Sequence, residues 1–266
     1  MGTRFGIVLS IMLQFLRMKK LITYTLVVIA VMIWSCSKDG TAESAASAGG
    51  TGTGGSLARF TIAGNYLYLA DDRQLKVFDI SIPATMTLKK TIDVGFGVET
   101  IYPYGDKLFI GSQLGMFIYS IANPENPVKL GEAQHRRSCD PVVAKDTMAY
   151  VTLKGGNICG PATDGLYSYS IKNISSPVLL NTLVLPKPSG LGYSDTTLFV
   201  CCEDSGLAVI NIKNPAQPKL KKMITANSFY DVIPLNGLLV CMVKTGMDLY
   251  DITDVNNLVL IKHIDN

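Results

Sequence analysis

Apolar and polar positions follow one another in short bursts along most of this chain, and one burst returns five times. Leu75-Lys76-Val77-Phe78-Asp79-Ile80 recurs as Met116-Phe117-Ile118-Tyr119-Ser120-Ile121, Leu166-Tyr167-Ser168-Tyr169-Ser170-Ile171, Leu207-Ala208-Val209-Ile210-Asn211-Ile212 and Met247-Asp248-Leu249-Tyr250-Asp251-Ile252. The copies begin at 75, 116, 166, 207 and 247, which gives spacings of 41, 50, 41 and 40 residues. Ahead of each lies a second apolar burst: Tyr66-Leu67-Tyr68-Leu69, Lys107-Leu108-Phe109-Ile110, Met148-Ala149-Tyr150-Val151, Thr197-Leu198-Phe199-Val200 and Leu238-Leu239-Val240-Cys241. Weaker bursts flank the pair, as Thr100-Ile101-Tyr102-Pro103 before it and Val128-Lys129-Leu130 after it.

Four short strands in about 40 residues match the dimensions of one β-propeller blade. Alternate residues of the recurring burst, Leu75 and Val77 on one side and Phe78 and Ile80 on the other, are apolar on both faces. Each sheet must therefore be covered on both sides, and stacking unit on unit does that. The expected fold is all-β, a propeller of five four-stranded blades over about 57–93, 94–134, 135–185, 186–225 and 226–266, with an incomplete larger propeller as the alternative. A solenoid or a sandwich does not fit four strands per unit. The array starts on an innermost strand and stops on an outermost one, Leu258-Val259-Leu260-Ile261, so no strand is exchanged between its ends. Closing a five-bladed ring then requires the first blade to pack face-on against the last.

Each copy ends its burst on a polar residue, Asp79, Ser120, Ser170, Asn211 or Asp251, and in four copies a Pro-rich turn follows, such as Pro124-Glu125-Asn126-Pro127 or Pro215-Ala216-Gln217-Pro218. Short polar side chains there accept bonds from the backbone two residues on and start the turn. The recurring acids are thereby read as turn formers and not as metal ligands.

The region ahead of the array changes character twice. Met18-Lys19-Lys20 followed by the fourteen apolar-rich residues Leu21 to Trp34 and then Ser35 has the charged start, apolar run and small residue of a secretory signal. Fourteen residues are short for crossing a bilayer, so an uncleaved anchor or a buried helix is the weaker reading. Residues 1–17 form a second apolar piece, and translation starting at Met18 accounts for it as well as an extended leader does. Gly40 to Ser56 is almost wholly Gly, Ser, Thr and Ala, cannot bury enough surface to offset ordering, and is read as a tether spanning roughly 20–25 Å. The divisions are thus a leader at 1–35, Cys36 and tether at 36–56, and the array at 57–266.

Ile33-Trp34-Ser35-Cys36 resembles a bacterial lipobox, with an apolar residue at −3, a small one at −1 and the cysteine, although Trp34 departs from the small residue usual at −2. The resemblance implies cleavage before Cys36 and lipidation of its sulfur. Ser37-Lys38-Asp39 is similar to the start of lipoproteins of the Bacteroidetes lineage that reach the outer surface. It implies a cell-envelope, outer-membrane lipoprotein held to the membrane through its N-terminal lipid, either surface-exposed or periplasmic. Two or three acyl chains anchor stably where one is marginal.

Leu-x-Val-x-Asp-Ile followed by a Pro-bearing turn resembles the LVIVD repeat, a propeller-type unit of bacterial surface and periplasmic lipoproteins. Ser138-Cys139-Asp140-Pro141-Val142-Val143, Ala149-Tyr150-Val151-Thr152-Leu153 and Cys159-Gly160 are similar to that family's cysteine-bearing blade. Gly190-Leu191-Gly192 and Leu198-Phe199-Val200-Cys201 are similar to the blade after it. The family implies the fold and no established reaction.

Charge removes one class of function. The formal net charge is +3, but Arg4, Arg17, Lys19 and Lys20 all lie in the leader, leaving 20 basic against 21 acidic residues. A nucleic-acid partner calls for a basic surplus that is absent. Among the cysteines, Cys139 and Cys159, the latter in the ten-residue insertion of the third unit, are expected to form a disulfide outside the cytoplasm. Cys201, Cys202 and Cys241 lie in apolar strands and read as buried thiols. No Cys-x-x-Cys, Gly-x-Ser-x-Gly, phosphate-binding or dinucleotide loop occurs.

Innermost strands begin at a propeller's mouth, which makes Glu99, His135, Arg136, Arg137, Asp140, Ser189 and Tyr230 the candidate ligand-binding residues. His135-Arg136-Arg137 beside Asp140 is the densest charge in the array, and two guanidinium groups can clamp a carboxylate, a phosphate or an acidic sugar. Solvated loop charges, with Asp140 paired to one Arg, are the competing reading. A calcium ion is the one cofactor left open, and Glu99 and Asp140 are too few acids for a convincing site. The expected function is a binding or interaction module for an envelope protein or glycan. A propeller enzyme acting on a glycan or lactone is the alternative, and a structural envelope component a second one.

Overall fold

The computed structural model describes residues 55–135, 141–156 and 162–266. Five separate four-stranded antiparallel sheets follow one another along the chain, each with its strands in sequence order. The first blade comprises β1 (Phe60–Ala63), β2 (Tyr66–Ala70), β3 (Gln74–Asp79) and β4 (Thr87–Asp93). The second has β5 (Val98–Tyr104), β6 (Lys107–Ser112), β7 (Gly115–Ser120) and β8 (Val128–Gln134). In the third stand β9 (Val142–Lys145), β10 (Met148–Leu153), β11 (Gly165–Ser170) and β12 (Val178–Val184). The fourth is built of β13 (Leu191–Ser194), β14 (Thr197–Cys201), β15 (Leu207–Asn211) and β16 (Lys219–Ile224), and the fifth of β17 (Phe229–Leu235), β18 (Leu238–Val243), β19 (Gly246–Asp251) and β20 (Val259–Asp265). Together they form a five-bladed β-propeller, and the only helical piece among the described residues is one 3-10 turn at Pro83–Thr85.

The recurring burst is the third strand of every blade, and it slips register against the fourth at the same place each time. The shifts fall at Val77/Phe78, Ile118/Tyr119, Ser168/Tyr169, Val209/Ile210 and Leu249/Tyr250. One extra residue on the outermost strand increases the local twist that a propeller blade needs. The polar residue ending the burst then starts the turn in four copies. Asp79 Oδ1 accepts from Ser81 N at 2.9 Å, Ser120 Oγ from Ala122 N at 3.2 Å, Asn211 Oδ1 from Lys213 N at 2.8 Å and Asp251 Oδ1 from Thr253 N at 2.8 Å. The Ser81 and Thr253 hydroxyls and amides hold the carboxyls of Asp79 and Asp251 below the usual range.

Burial of both sheet faces is achieved blade against blade. Tyr68, Leu75 and Val77 of the first blade pack on Ile101, Leu108, Ile110 and Tyr119 of the second. Phe109, Met116 and Ile118 then pack on Val142, Ala149, Val151 and Tyr169 of the third. Tyr150 and Leu166 meet Leu191, Leu198, Val200 and Ile210 of the fourth, and Phe199, Cys201, Leu207 and Val209 meet Val232, Leu239, Cys241 and Tyr250 of the fifth. Each fully buried large side chain contributes roughly 1.5–3 kcal/mol, so these four clusters carry the fold. Polar bonds reinforce two of them: Tyr68 donates to Pro124 O at 2.9 Å and Tyr150 to Pro215 O at 3.3 Å, each reaching the turn of the next blade.

The fifth interface, between last blade and first, is not packed. Phe60 pairs with Leu69 as Ile101 pairs with Ile110, Val142 with Val151, Leu191 with Val200 and Val232 with Cys241, so these five are equivalent positions. Phe60 is 57% exposed, whereas none of its four counterparts exceeds 1%. On the opposite face, Met242 pairs with Met247 as Cys201 does with Leu207; Met242 is 57% exposed and Cys201 0%. The expected face-on contact of first blade with last is therefore not made among the described residues, and both faces meet solvent.

Only the inner edge of that seam is bridged. Ser56 Oγ donates to Asp231 Oδ1 at 3.2 Å and accepts from Leu191 N at 2.7 Å, and Leu57 N donates to Asp231 Oδ2 at 3.4 Å. The residues just ahead of β1 thus latch onto β17 and β13 near the axis. Gly190 makes room for β17 to come close beside the start of β13: a Cβ there would lie 2.7 Å from Tyr230 O and 2.2 Å from Asp231 Oδ1.

Candidate functional site

The starts of the innermost strands and the turns between second and third strands share one end of the propeller. Here stand Glu99 on β5, His135 just after β8, Ser189 just before β13 and Tyr230 on β17. Glu99 Oε1 accepts from Gln113 Nε2 at 3.0 Å, and the neighbouring Leu114 O receives His135 N at 3.4 Å. Across the mouth, Thr152 Oγ1 donates to Ser189 O at 2.7 Å, while Ser189 Oγ and Gly190 N donate to Tyr230 O at 3.0 and 2.9 Å. Bonds thus run from the third blade through the fourth to the fifth, and Glu99, His135 and Tyr230 are half-buried at this end. Arg136, Arg137, Asp140, Cys139, Cys159 and Cys36 lie outside the described residues, so the guanidinium clamp, the disulfide and the lipidation site do as well.

Three further features at the mouth and axis were not read from the sequence. The Lys154 ammonium pairs with Glu203 across the third and fourth blades, at the foot of the third-blade insertion. Asp231 is buried at the latch; burial pushes its carboxyl pKa up, against the opposing bonds from Val232, Leu57 and Ser56. At the other end of the axis Tyr102 on β5 and Tyr193 on β13 pack against the same apolar cluster, and burial raises both phenols. Lys145 Nζ lies 5.8 Å from the Tyr193 ring centroid, within cation–π range. A signal for the latch existed in the sequence: an Asp inside the otherwise apolar strand Phe229–Leu235.

Nucleophilic chemistry has little support among the described groups. Cys201, Cys202 and Cys241 are free and buried, as expected, and burial drives all three thiols up, Cys202 to about 12. They stay protonated at neutral pH and cannot act as thiolates. No cluster of three or more His, Cys, Asp or Glu able to hold a metal occurs among the described residues. A cleft of about 550 Å³ between the second and third blades, lined by Tyr104, Lys107, Phe109, Asp146 and Lys172, opens at the end opposite the mouth.

Comparison with known proteins agrees with the repeat and the fold. The LVIVD repeat matches residues 54–94 and 197–225, which are the first blade and the outer three strands of the fourth. No curated protein sequence matches the chain. Among solved structures it is similar to the computationally designed Ika8 protein, with 14% identity and a TM-score of 0.55 over 76% of this chain and 59% of that one. Apo AztD from Citrobacter koseri gives 14% identity and a TM-score of 0.55, covering 74% of this chain and 59% of the other. The periplasmic gluconolactonase PpgL of Pseudomonas aeruginosa gives 13% identity and a TM-score of 0.60, covering 76% and 68%. At these identities the likeness is one of fold. The chain spans about three fifths of the length of the first two.

Proposed function

With LVIVD repeats as its building unit, we propose that this propeller is a lipid-anchored binding module of the cell envelope, tethered through Cys36 and engaging an acidic ligand at the mouth. The observation that carries the reading is a division of labour among positions. Residues common to the five copies are spent on blade packing and turn formation, whereas Glu99, His135, Ser189, Tyr230 and the Lys154–Glu203 pair, where the copies differ, share one end. Arg136 and Arg137 precede β9 and would add two cations to that end, suited to bidentate capture of a carboxylate or phosphate on a glycan or partner protein.

The test is retention of the full chain on a panel of acidic and neutral envelope glycans and peptides, compared with Arg136→Ala/Arg137→Ala. Binding of an acidic class that weakens at least about tenfold in the double variant supports the reading, since charge-assisted pairs are worth roughly 1.5–3 kcal/mol each. Equal binding by both proteins refutes the site. An enzyme acting on a glycan or lactone instead predicts calcium in the purified protein, and metal analysis separates the two. Globomycin treatment of producing cells should leave an unprocessed precursor; if processing before Cys36 is unaffected, the lipid anchor is refuted.

A further inference from the structure

At the end opposite the mouth, neighbouring blades meet across clefts, and the one between the second and third blades departs from the repeat. Tyr68, Phe109 and Tyr150 occupy equivalent positions, pairing with Val77, Ile118 and Ser168 of the third strands. The phenols of Tyr68 and Tyr150 cross to the next blade and donate to the carbonyls of Pro124 and Pro215, at 2.9 and 3.3 Å. Phe109 has no hydroxyl to do the same, and Ile174 stands where those prolines do, three residues after Ile171 as they are after Ile121 and Ile212. The cleft there measures about 550 Å³, against about 150 Å³ for its counterpart between the third and fourth blades, which Tyr150 and Pro215 line. The larger volume falls in the range of small-molecule sites, roughly 300–1,000 Å³. Phe199 of the fourth blade lacks the hydroxyl as well, but Val255 and Leu258 of the fifth pack against its cluster. A second departure accompanies the first. Gly131 on β8 replaces the Lys90, Asn181 and Lys222 of equivalent positions, and a Cβ there would lie 2.0 Å from Ile174 O, so glycine lets the third-blade turn seat on β8.

The lining leaves two donors without a partner. Lys107 Nζ is 2.5 Å from Asp106 Oδ1 and Lys145 Nζ 3.0 Å from Asp146 Oδ2, so both acids at the cleft already hold a cation. Lys172, exposed on the opposite wall, has no acid of its own among the described residues. The Tyr104 hydroxyl accepts from Asp146 N at 2.7 Å, which orients it, and its own proton has no acceptor among the described residues. Phe109, Ile171 and Ile174 supply the apolar part of the lining. One unpaired ammonium and one phenolic donor beside an aromatic floor suit a single anionic group on a compact aromatic body. With Lys172 the one unpaired cation of the lining, a carboxylate fits better than a doubly charged phosphate. We propose that this cleft binds an aromatic monocarboxylate, its ring on the Phe109 side and its carboxylate held by Lys172 and the Tyr104 hydroxyl. The site lies at the end opposite the mouth and does not depend on the ligand proposed there.

The experiment is a ligand-observed NMR titration of the full chain with phenylacetate and indoleacetate, each beside its uncharged carboxamide. The expected result is saturable binding of at least one carboxylate, at least about tenfold tighter than its carboxamide. Lys172→Met alters an exposed side chain and is expected to erase that preference while keeping the thermal midpoint. Phe109→Tyr restores the phenol that Tyr68 and Tyr150 carry, and is expected to keep the fold and abolish binding by closing the cleft. Arg136→Ala/Arg137→Ala, altered at the mouth, should bind both probes as the unaltered chain does. No saturable binding of either carboxylate, equal affinity for carboxylate and carboxamide, or full binding by Lys172→Met overturns the proposal. Full binding by a folded Phe109→Tyr does so as well; if that variant is destabilised, Lys172→Met decides alone. Loss of binding in the double arginine variant assigns the probes to the mouth and overturns the cleft while leaving the mouth reading intact.

Discussion

Leucine occupies one equivalent position in four of the five blades, which permits the same substitution to be made on an open and on a closed face. Leu67 pairs with Phe78, Leu108 with Tyr119, Leu198 with Ile210 and Leu239 with Tyr250. Leu108, Leu198 and Leu239 are fully buried between blades, and Leu67 is only partly covered. Leu198→Ala removes three buried carbons and leaves a cavity walled by two rigid sheets, which costs about 3 kcal/mol within a usual span of about 2.7–5. Leu67→Ala loses contacts within its own sheet alone and costs at most about 1 kcal/mol. For a domain of about 200 residues each kcal/mol lowers the thermal midpoint by roughly 2–4 °C, so the expected losses are about 6–12 °C and at most about 4 °C. Circular dichroism melts and urea titrations of the two variants measure this directly. If Leu67→Ala destabilises as much as Leu198→Ala, the first blade is covered in solution and the open seam is wrong.

Other consequences are independent of the seam. His263 Nδ1 lies 2.5 Å from Asp248 Oδ1 on the paired strand, and that bond raises the imidazole above 6.5. A raised folded pKa adds stability that is complete below 6.5 and lost as pH rises through the folded value; an NMR titration of Asp248→Asn should bring His263 back towards 6.5, and an unchanged midpoint contradicts the pairing. Asp231 has the opposite chemistry: its folded pKa is raised above 3.8 by burial, so the native state holds that proton more tightly than the unfolded chain. Its contribution is most favourable below 3.8 and diminishes as pH rises through the folded pKa, and Asp231→Asn should flatten that part of the stability–pH profile. Gly190→Ala forces a methyl against Tyr230 O and Asp231 and should cost about 1–3 kcal/mol in urea unfolding, and an unchanged urea midpoint would contradict the close approach of β13 to β17.

Much of the architecture was legible because it is repeated. Copies of the third strand set the period, and Asp79, Asn211 and Asp251 announced their turns through side-chain chemistry that acts within two residues. Cys201, Cys202 and Cys241 were readable as buried thiols from their apolar neighbours alone. Coverage of a face was not legible, because Phe60 and Ile101 look alike in their local sequence and differ only in what stands beyond them. The latch escaped for a related reason: Ser56 lies in a stretch whose composition reads as tether, and its partner Asp231 is 175 residues away. Tyr102 and Tyr193 pack on one cluster from different blades, an arrangement no strand period encodes. Of the proposed mouth, Glu99, His135 and Tyr230 can be placed from topology, since every innermost strand starts at the same end.

Five blades packed in sequence leave an open seam between the last and the first, and the repeat supplies an internal control for it. Cys201 and Met242 occupy equivalent positions on consecutive blades, one sealed by the fifth blade and one facing the seam. In Met242→Cys, labelling of the native full chain with a thiol reagent, mapped by peptide mass, should modify position 242 rapidly and leave Cys201 unmodified until the protein is unfolded. Protection of both positions alike would contradict the open seam, and rapid labelling of Cys201 would contradict the packing of blade on blade.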